Sequence, residues 1–388
     1  MLRLKQVNRE YILKHKEVPV LLFTLDEDYK LSEMGEVFNE KRLPFGLKYT
    51  GKSNAQYRQL SEWIEKRGLP HSRSDLVYIK RDLMARNSVE LSVGSYALNL
   101  TDHYWVHKTD MDLKWKDVNF FDNPFREIIN FDIAGVKDKE EIPVAPDLTV
   151  DGNLRKKWVI IKNERYLVKG SRYEEMQEPF NEVIASKIMD KLDFYHTEYN
   201  LIRNERDNTP LSICKCMVDN KTEFLTAQVV LDTELKEGRN EYSRFMDICG
   251  KNGIKNAKKY LDEMIFLDCI IGNTDRHTGN FGIIRNADTL EWLGTAPVFD
   301  NGNSLFHDIV SIDRIEQNID SHCRWSGGTN FEKLKYTDYT QWYSETAGKE
   351  IYHIISSELQ NNKRIKKDKL ENLLQIVDLR LKKLEKLQ

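Results

Sequence analysis

Two short polar segments constrain this chain more than anything else in it. They are Gly272-Asn273-Thr274-Asp275-Arg276-His277-Thr278-Gly279-Asn280 and, after a brief stretch, Pro297-Val298-Phe299-Asp300-Asn301-Gly302. Together they carry an aspartate, an asparagine five residues later, and a second aspartate with a glycine two residues beyond it. Phosphoryl transfer from ATP to a hydroxyl needs such a set. One carboxylate accepts the hydroxyl proton, while an amide oxygen and another carboxylate hold magnesium against the phosphates. A fold that serves this chemistry has to present both segments to one site, so the chain reads first as a phosphotransferase.

Composition narrows the setting. With 388 residues, 40% of them apolar, the chain is long enough for two or three domains with sizeable cores. Its 59 basic and 62 acidic residues nearly cancel, which gives no global attraction to nucleic acid or to an anionic membrane. Apolar runs last only a few residues, far short of the roughly 20 that span a bilayer. The basic N-terminus, Met1 to Tyr11, has no apolar core and no small-residue cleavage site, so a cytoplasmic protein is expected. Cys214, Cys216, Cys249, Cys269 and Cys323 are an odd number on a large chain, as suits reduced thiols. Cys214 and Cys216 alternate within Leu211 to Val218 and read as strand positions rather than zinc ligands.

The pattern along the chain predicts an α+β fold. A strand at 18–25 opens an N-terminal α/β module over 1–136, and the aromatic-rich region 60–125 reads as a packing layer. The charged run Lys137 to Glu141, followed by Pro143 and Pro146, reads as a linker. A strand-rich lobe then covers 143–230, with a hairpin around Lys162-Asn-Glu-Arg165, an amphipathic helix from Gln177 to Leu192, and strands at 211–218 and 224–230. From about 240 the pattern is mainly helical, giving a larger lobe over 231–388 that includes the loop and the metal-binding segment. One helix carries Ala257, Tyr260, Leu261, Met264 and Ile265 and stops at Gly272. The last helix packs by Leu370, Leu373, Leu374, Val377, Leu381 and Leu384.

Each chemical role has a candidate. Asp275 is the proton-accepting base, and Asn280 and Asp300 are the metal ligands. Lys169 ends a strand ahead of the helix that carries Glu182, the order expected of a phosphate-binding lysine oriented by a carboxylate. Lys162, Glu174, Glu175 and Glu178 are rivals for that pair. His277 reads as a residue that holds the loop by hydrogen bonds, because magnesium prefers oxygen. Upstream, Thr149-Val150-Asp151-Gly152-Asn153-Leu154-Arg155-Lys156-Lys157 has a single glycine and no Walker-type loop. Backbone N–H groups near Gly152, aided by Lys156, are candidates for covering the phosphates, with an ordinary polar turn as the alternative.

These residues resemble the HipA-like family of bacterial serine/threonine kinases, well over 145–330 and loosely before that. The resemblance rests on Asn273 to Asn280, on Phe299-Asp300-Asn301-Gly302, and on the order of Lys169 and Glu182. It implies a two-lobed protein-kinase-like fold, ATP with magnesium, Asp275 as base, Asn280 and Asp300 on the metal, and Lys169 on the nucleotide. It also implies a protein substrate, a toxin role, and an antitoxin or DNA-binding partner protein. Family members autophosphorylate a hydroxyl in the nucleotide loop, and Thr149 stands near the matching place, although that loop departs here from the family's usual pattern. Two other readings stay open: a kinase-fold enzyme acting on a small molecule or lipid headgroup, and a non-catalytic module bound to a partner.

Overall fold

Alternation builds the first sheet. In Glu10–His15 (β1) every second side chain is buried, so Tyr11, Leu13 and His15 face inward. This strand pairs antiparallel with Val18–Leu25 (β2), which pairs in turn with Leu31–Val37 (β3). On its other edge β1 pairs antiparallel with Tyr104–Lys108 (β4). The computed structural model describes residues 9–47, 54–70, 73, 75–127, 144–149, 154–234, 238–309, 315, 319–325 and 327–387. The proposed linker Lys137–Glu141 and Gly152 lie outside them.

Helices Asn54–Lys66 (α1), Leu76–Asp82 (α2), Ser88–Gly94 (α3) and Trp115–Val118 (α4) accompany this sheet, and Leu60, Ile64, Val89 and Val93 share one core with Leu13, Val20, Leu21 and Phe23. Strands Lys156–Ile161 (β5) and Glu164–Lys169 (β6) are neighbours in a separate sheet. The described residues of Met1–Leu167 form one compact unit together with a six-residue segment from further along the chain, Val218–Glu223. That segment delivers a buried carboxylate. Glu223 Oε1 accepts from His15 Nε2 at 2.7 Å, from His103 Nδ1 at 3.0 Å and from the His103 backbone N–H at 2.9 Å. Arg42, which can only donate, lies 2.7 Å from His15 Nδ1 and so places that imidazole's proton on Nε2.

The second unit comprises Val168–Met217 and Phe224–Gln388. Its elements are Gln177–Leu192 (α5), Tyr199–Arg203 (β7), Pro210–Lys215 (β8), Thr222–Thr226 (β9, entering from the first unit) and Ala227–Leu231 (α6). They continue as Glu241–Lys251 (α7), Ala257–Ile271 (α8), Gly282–Asn286 (β10), Trp292–Thr295 (β11), Asn330–Lys333 (α9), Glu345–Asn361 (α10) and Lys367–Lys386 (α11). Strands β7 and β8 pair antiparallel, as do β10 and β11, and β9 joins the latter two in the order β11-β10-β9. The mixed α+β architecture is the one expected. Among the described residues no helix is long and apolar enough to cross a membrane, and all five cysteines are free thiols.

Three local readings need correction. Residues 227–230 are helix rather than strand, because the Thr226 hydroxyl accepts from the Val229 N–H and starts a turn. The region beyond 240 is interrupted by the β10–β11 hairpin. Asn286 closes its turn by accepting from the Asp288 and Thr289 N–H groups at 2.8 and 2.9 Å. Helix α11 does pack, but Ile376 and Arg380 are buried in it where Leu370 and Leu374 are only half-buried. Arg380 is tolerated there because its Nε donates to the Cys269 carbonyl at 3.2 Å and its Nη1 to the Ile319 carbonyl at 2.7 Å.

Candidate active site

The loop begins where α8 must stop. Its last turns are apolar except for Asp268, and Gly272 then takes a left-handed conformation at φ +62°, which glycine enters at no steric cost. Asn273 follows as a keystone. Its side-chain amide donates to Asp268 Oδ1 at 3.0 Å, and its oxygen accepts from the Asp275 N–H at 2.9 Å. The loop next folds on itself: the Gly279 N–H donates to His277 Nδ1 at 3.0 Å, and Asn280 Nδ2 donates to the Asp275 carbonyl at 3.2 Å. Burial pushes the His277 pKa down, which keeps the ring neutral and able to accept. From the side, α6 presents its first N–H groups, Ala227 to the Phe281 carbonyl at 2.7 Å and Gln228 to the Thr278 carbonyl at 2.9 Å. Gly282 makes that approach possible, since a Cβ there would sit 2.0 Å from the Leu225 carbonyl oxygen.

Lys169 is the centre of a second cluster. Its ammonium is 2.7 Å from Glu182 Oε1, 2.7 Å from Asp300 Oδ1 and 3.0 Å from the Tyr199 hydroxyl. Burial alone would depress its pKa, but the Asp300 and Glu182 carboxylates outweigh burial and hold it well above the ordinary lysine value. The other Glu182 oxygen accepts from the Asn301 N–H at 2.8 Å. At the position just before Glu182 on α5, Asn181 Nδ2 donates to the Gly302 and Ser304 carbonyls at 2.8 and 2.7 Å. Helix α5 therefore grips the segment that carries Asp300, a residue itself in the left-handed region at φ +60°. The rival carboxylates are engaged elsewhere: Glu175 with Lys369, Glu178 with Ser171 Oγ and the Arg172 N–H.

A buried arginine ties the two polar segments together. Arg276 Nε and Nη2 grip Asp268 at 3.0 Å each. Nη1 donates to the Asn280 and Phe299 carbonyls at 3.1 and 2.7 Å, and Nη2 reaches Asn301 Oδ1 at 2.5 Å. One guanidinium thus joins the residues that flank Asp300 to the residues that flank Asp275. Asp275 has both oxygens engaged: Asn303 Nδ2 donates to Oδ2 at 2.6 Å, and Arg324 Nη1 lies 2.6 Å from Oδ1. The sequence alone gives Arg276 and Asn301 no role and does not single out Asp268, Asn303 or Arg324. One signal was available, since an aspartate within the apolar run Met264 to Ile271 needs a buried partner.

Asp275, Asn280, Asp300, Lys169 and Glu182 all belong to the second unit, joined through these bonds. Thr149 and Lys156 belong to the first. Lys156 is the first residue of β5 and is buried. Thr149 is buried too, its hydroxyl donating to the Leu98 and Pro146 carbonyls. The donor set suits magnesium: Asp300 and Asn280 offer hard oxygens, and the Asn280 amide nitrogen is tied to the Asp275 carbonyl, which turns its oxygen the other way. Among the described residues no group of three or more His, Cys, Asp and Glu could hold a metal by itself, so an ion here would draw further oxygens from phosphate.

No family model matches the chain. Over 68 residues it is 37% identical to the serine/threonine-protein kinase CtkA of Helicobacter pylori strain J99, a match to 17% of this chain and 21% of that relative. The chain thus spans about a fifth of the length of the curated relative it matches. Among solved structures it is similar to the Helicobacter pylori proinflammatory kinase CtkA, with 20% identity and a TM-score of 0.46 over 61% of this chain and 93% of that one. It is similar in fold to HipA in the Shewanella oneidensis MR-1 toxin–antitoxin complex of HipA, HipB and operator DNA. There the TM-score is 0.55 with 11% identity, over 97% of both chains. The fold implied by the resemblance to HipA-like kinases is therefore the fold observed.

Proposed function

We propose that this chain is an ATP- and magnesium-dependent serine/threonine protein kinase of HipA-like type, which transfers the γ-phosphoryl group of ATP to a hydroxyl on a cytoplasmic protein. A toxin role and an antitoxin-type partner belong to the same reading. The observation that carries it is the Lys169 ammonium held 2.7 Å from both Glu182 and Asp300, with Glu182 also bonded to the Asn301 N–H. A phosphate-binding lysine, its orienting carboxylate and a metal-binding aspartate have to meet in a kinase, and the contacts of Lys169 with Glu182 and Asp300 support that assignment. The match to a CtkA kinase supports the activity over a short stretch.

In this mechanism the substrate hydroxyl docks against Asp275, whose carboxylate accepts its proton as the oxygen–phosphorus bond forms. The bond between the γ-phosphorus and the β–γ bridging oxygen breaks, and ADP carries away that electron pair. Lys169, oriented by Glu182, turns its positive charge from Asp300 to the phosphate oxygens. Asn280 and Asp300 would hold magnesium, which would supply neutralisation of phosphate charge. Arg276 keeps the two segments in register.

The test is incubation with γ-labelled ATP, magnesium and whole-cell lysate, with Asp275→Asn as the control. Labelled protein bands that vanish in the variant are the expected result, with transfer falling about 10²- to 10⁴-fold while ATP still binds. Label in small molecules alone would assign the chemistry to a metabolite or lipid kinase. Absence of label in any fraction, from protein that binds magnesium and ATP, would refute the enzyme.

A further inference from the structure

The two oxygens of Asp275 are held in different ways. Oδ2 is fixed, because Asn303 donates to it at 2.6 Å and is itself pinned. The Asn303 side-chain oxygen accepts from Arg172 Nη2 at 3.0 Å, and its backbone carbonyl accepts from the Thr274 N–H at 3.2 Å. Oδ1 is held by Arg324, whose side chain is 63% exposed against 31% for Asp275. A hydroxyl approaching the carboxylate from solvent therefore meets the Arg324 guanidinium first.

Arg324 is presented there by its neighbours. Cys323 and Trp325 on either side of it are buried. The Cys323 N–H donates to the Gly328 carbonyl at 2.9 Å, and the Trp325 ring packs 4.8 Å from Phe281, the residue after Asn280. With Trp325 packed on Phe281 and the Cys323 backbone tied to Gly328, the exposed side chain between them reaches Asp275. On the far side of Asn303 stands a second guanidinium, Arg172, partly exposed and 3.9 Å from the buried Glu178.

We propose that Arg324, with Arg172 behind it, is a specificity-determining anion subsite that selects protein substrates bearing an acidic side chain next to the acceptor hydroxyl. This rests on the kinase reading above and names its substrate class. In the free protein Arg324 uses Asp275 as its counterion. A substrate carboxylate takes over that counterion role, so the guanidinium swings from the base to the substrate and Oδ1 is opened to the hydroxyl. A substrate with no anion has to break the Arg324–Asp275 pair without replacement and is disfavoured. Arg324 thereby couples recognition to release of the base, while Asn303 acts as the positioning residue that keeps Asp275 in place through the exchange.

The test uses the full chain and fluorescent serine peptides that differ only beside the serine, with glutamate, alanine, lysine or phosphoserine there. Two readouts are taken: binding by fluorescence anisotropy, and phosphoryl transfer from ATP. The parent protein is expected to bind the glutamate peptide about fivefold more tightly than the alanine peptide, the upper range for one half-exposed ion pair. Arg324→Ala should abolish that preference, and Arg324→Lys should keep part of it. Equal binding of the glutamate and alanine peptides by the parent, or a preference unchanged in Arg324→Ala, would overturn the proposal. A phosphoserine peptide preferred over the glutamate peptide would replace the acidic side chain by a phosphate as the natural anion and overturn the assignment to that extent. Anisotropy needs no catalysis. Arg324-dependent acidic binding without transfer would sink the kinase and spare the subsite, and transfer without acidic preference would do the reverse.

Discussion

Replacing Arg276 by methionine should be among the most damaging single changes available in the second unit. The guanidinium is fully buried and makes five bonds, two of them to Asp268, and the Asp268 charge keeps it cationic against the pull of burial. Methionine fills much of the volume but leaves Asp268 buried without its cation and half-satisfied, with only Asn273 Nδ2 still donating to its side chain. Breaking a buried pair from one side costs about 3–5 kcal/mol. The carbonyls of Asn280 and Phe299 lose a donor as well, yet these losses share one site and do not add in full. An expected cost of about 4 kcal/mol is large beside a typical total of 5–15 kcal/mol. Urea unfolding followed by tryptophan fluorescence measures it, since Trp325 packs on Phe281 beside the loop. The double variant Arg276→Met/Asp268→Leu removes both charges and should recover a substantial part of the loss, short of all of it because Asn273 then lacks its acceptor. A single-variant cost under about 1 kcal/mol, or a double variant as unstable as the two singles summed, would show that Arg276 does not hold the segments together.

Asp300→Asn keeps a residue type that tolerates φ +60° and removes one charge. It should weaken ATP binding in magnesium but not in its absence, and calorimetry giving equal affinity in magnesium would make Asp300 structural. Lys169→Met and Glu182→Gln should each lower turnover, with the double change costing less than their sum. Additivity within about 0.5 kcal/mol would dissolve the pair as a unit. The depressed pKa of half-buried His277 means that the unfolded chain binds its proton more readily than the folded one. Stability should be full above about pH 6.5 and decline as pH falls from there through the folded value. His277→Asn should flatten part of that slope in urea unfolding at successive pH values, and an unchanged slope would remove His277 from the account.

What the sequence revealed was whatever is encoded within a few residues. Helix α5 matches its expected bounds from Gln177 to Leu192, and Gly272 ends α8 at the expected place. The order of Lys169 and Glu182 was visible because both lie in regular elements. Hidden was everything that depends on chain reversal. Arg276 reaches Phe299 and Asn301 more than twenty residues on, and Arg324 returns to Asp275 from 49 residues away. No periodicity reports such a contact, since the spacing is set by the β10–β11 hairpin and the turns beyond it. That hairpin itself was missed because β11 is only four residues long and half-exposed, which leaves little apolar alternation to read.

The segment Val218–Glu223 makes the first unit discontinuous in the chain, and this bears on how it is born. Glu223 is synthesised 56 residues after Leu167, which at roughly 5–20 residues per second is a wait of about 3–11 s. Until it arrives, the His15 ring, the His103 ring and the His103 N–H lack the Glu223 carboxylate they later bury against, and a buried donor deprived of its acceptor costs about 1–3 kcal/mol. The N-terminal sheet can form during that interval, but its closure around the two histidines waits for a carboxylate from the middle of the chain. A fragment cut at Leu167 would stay permanently in that waiting state, more hydrated around His15 and His103 and easier for a protease to open. Supplying the missing acceptor takes residues up to Glu223, so the cut that frees the first unit has to fall within sequence that also codes for the second.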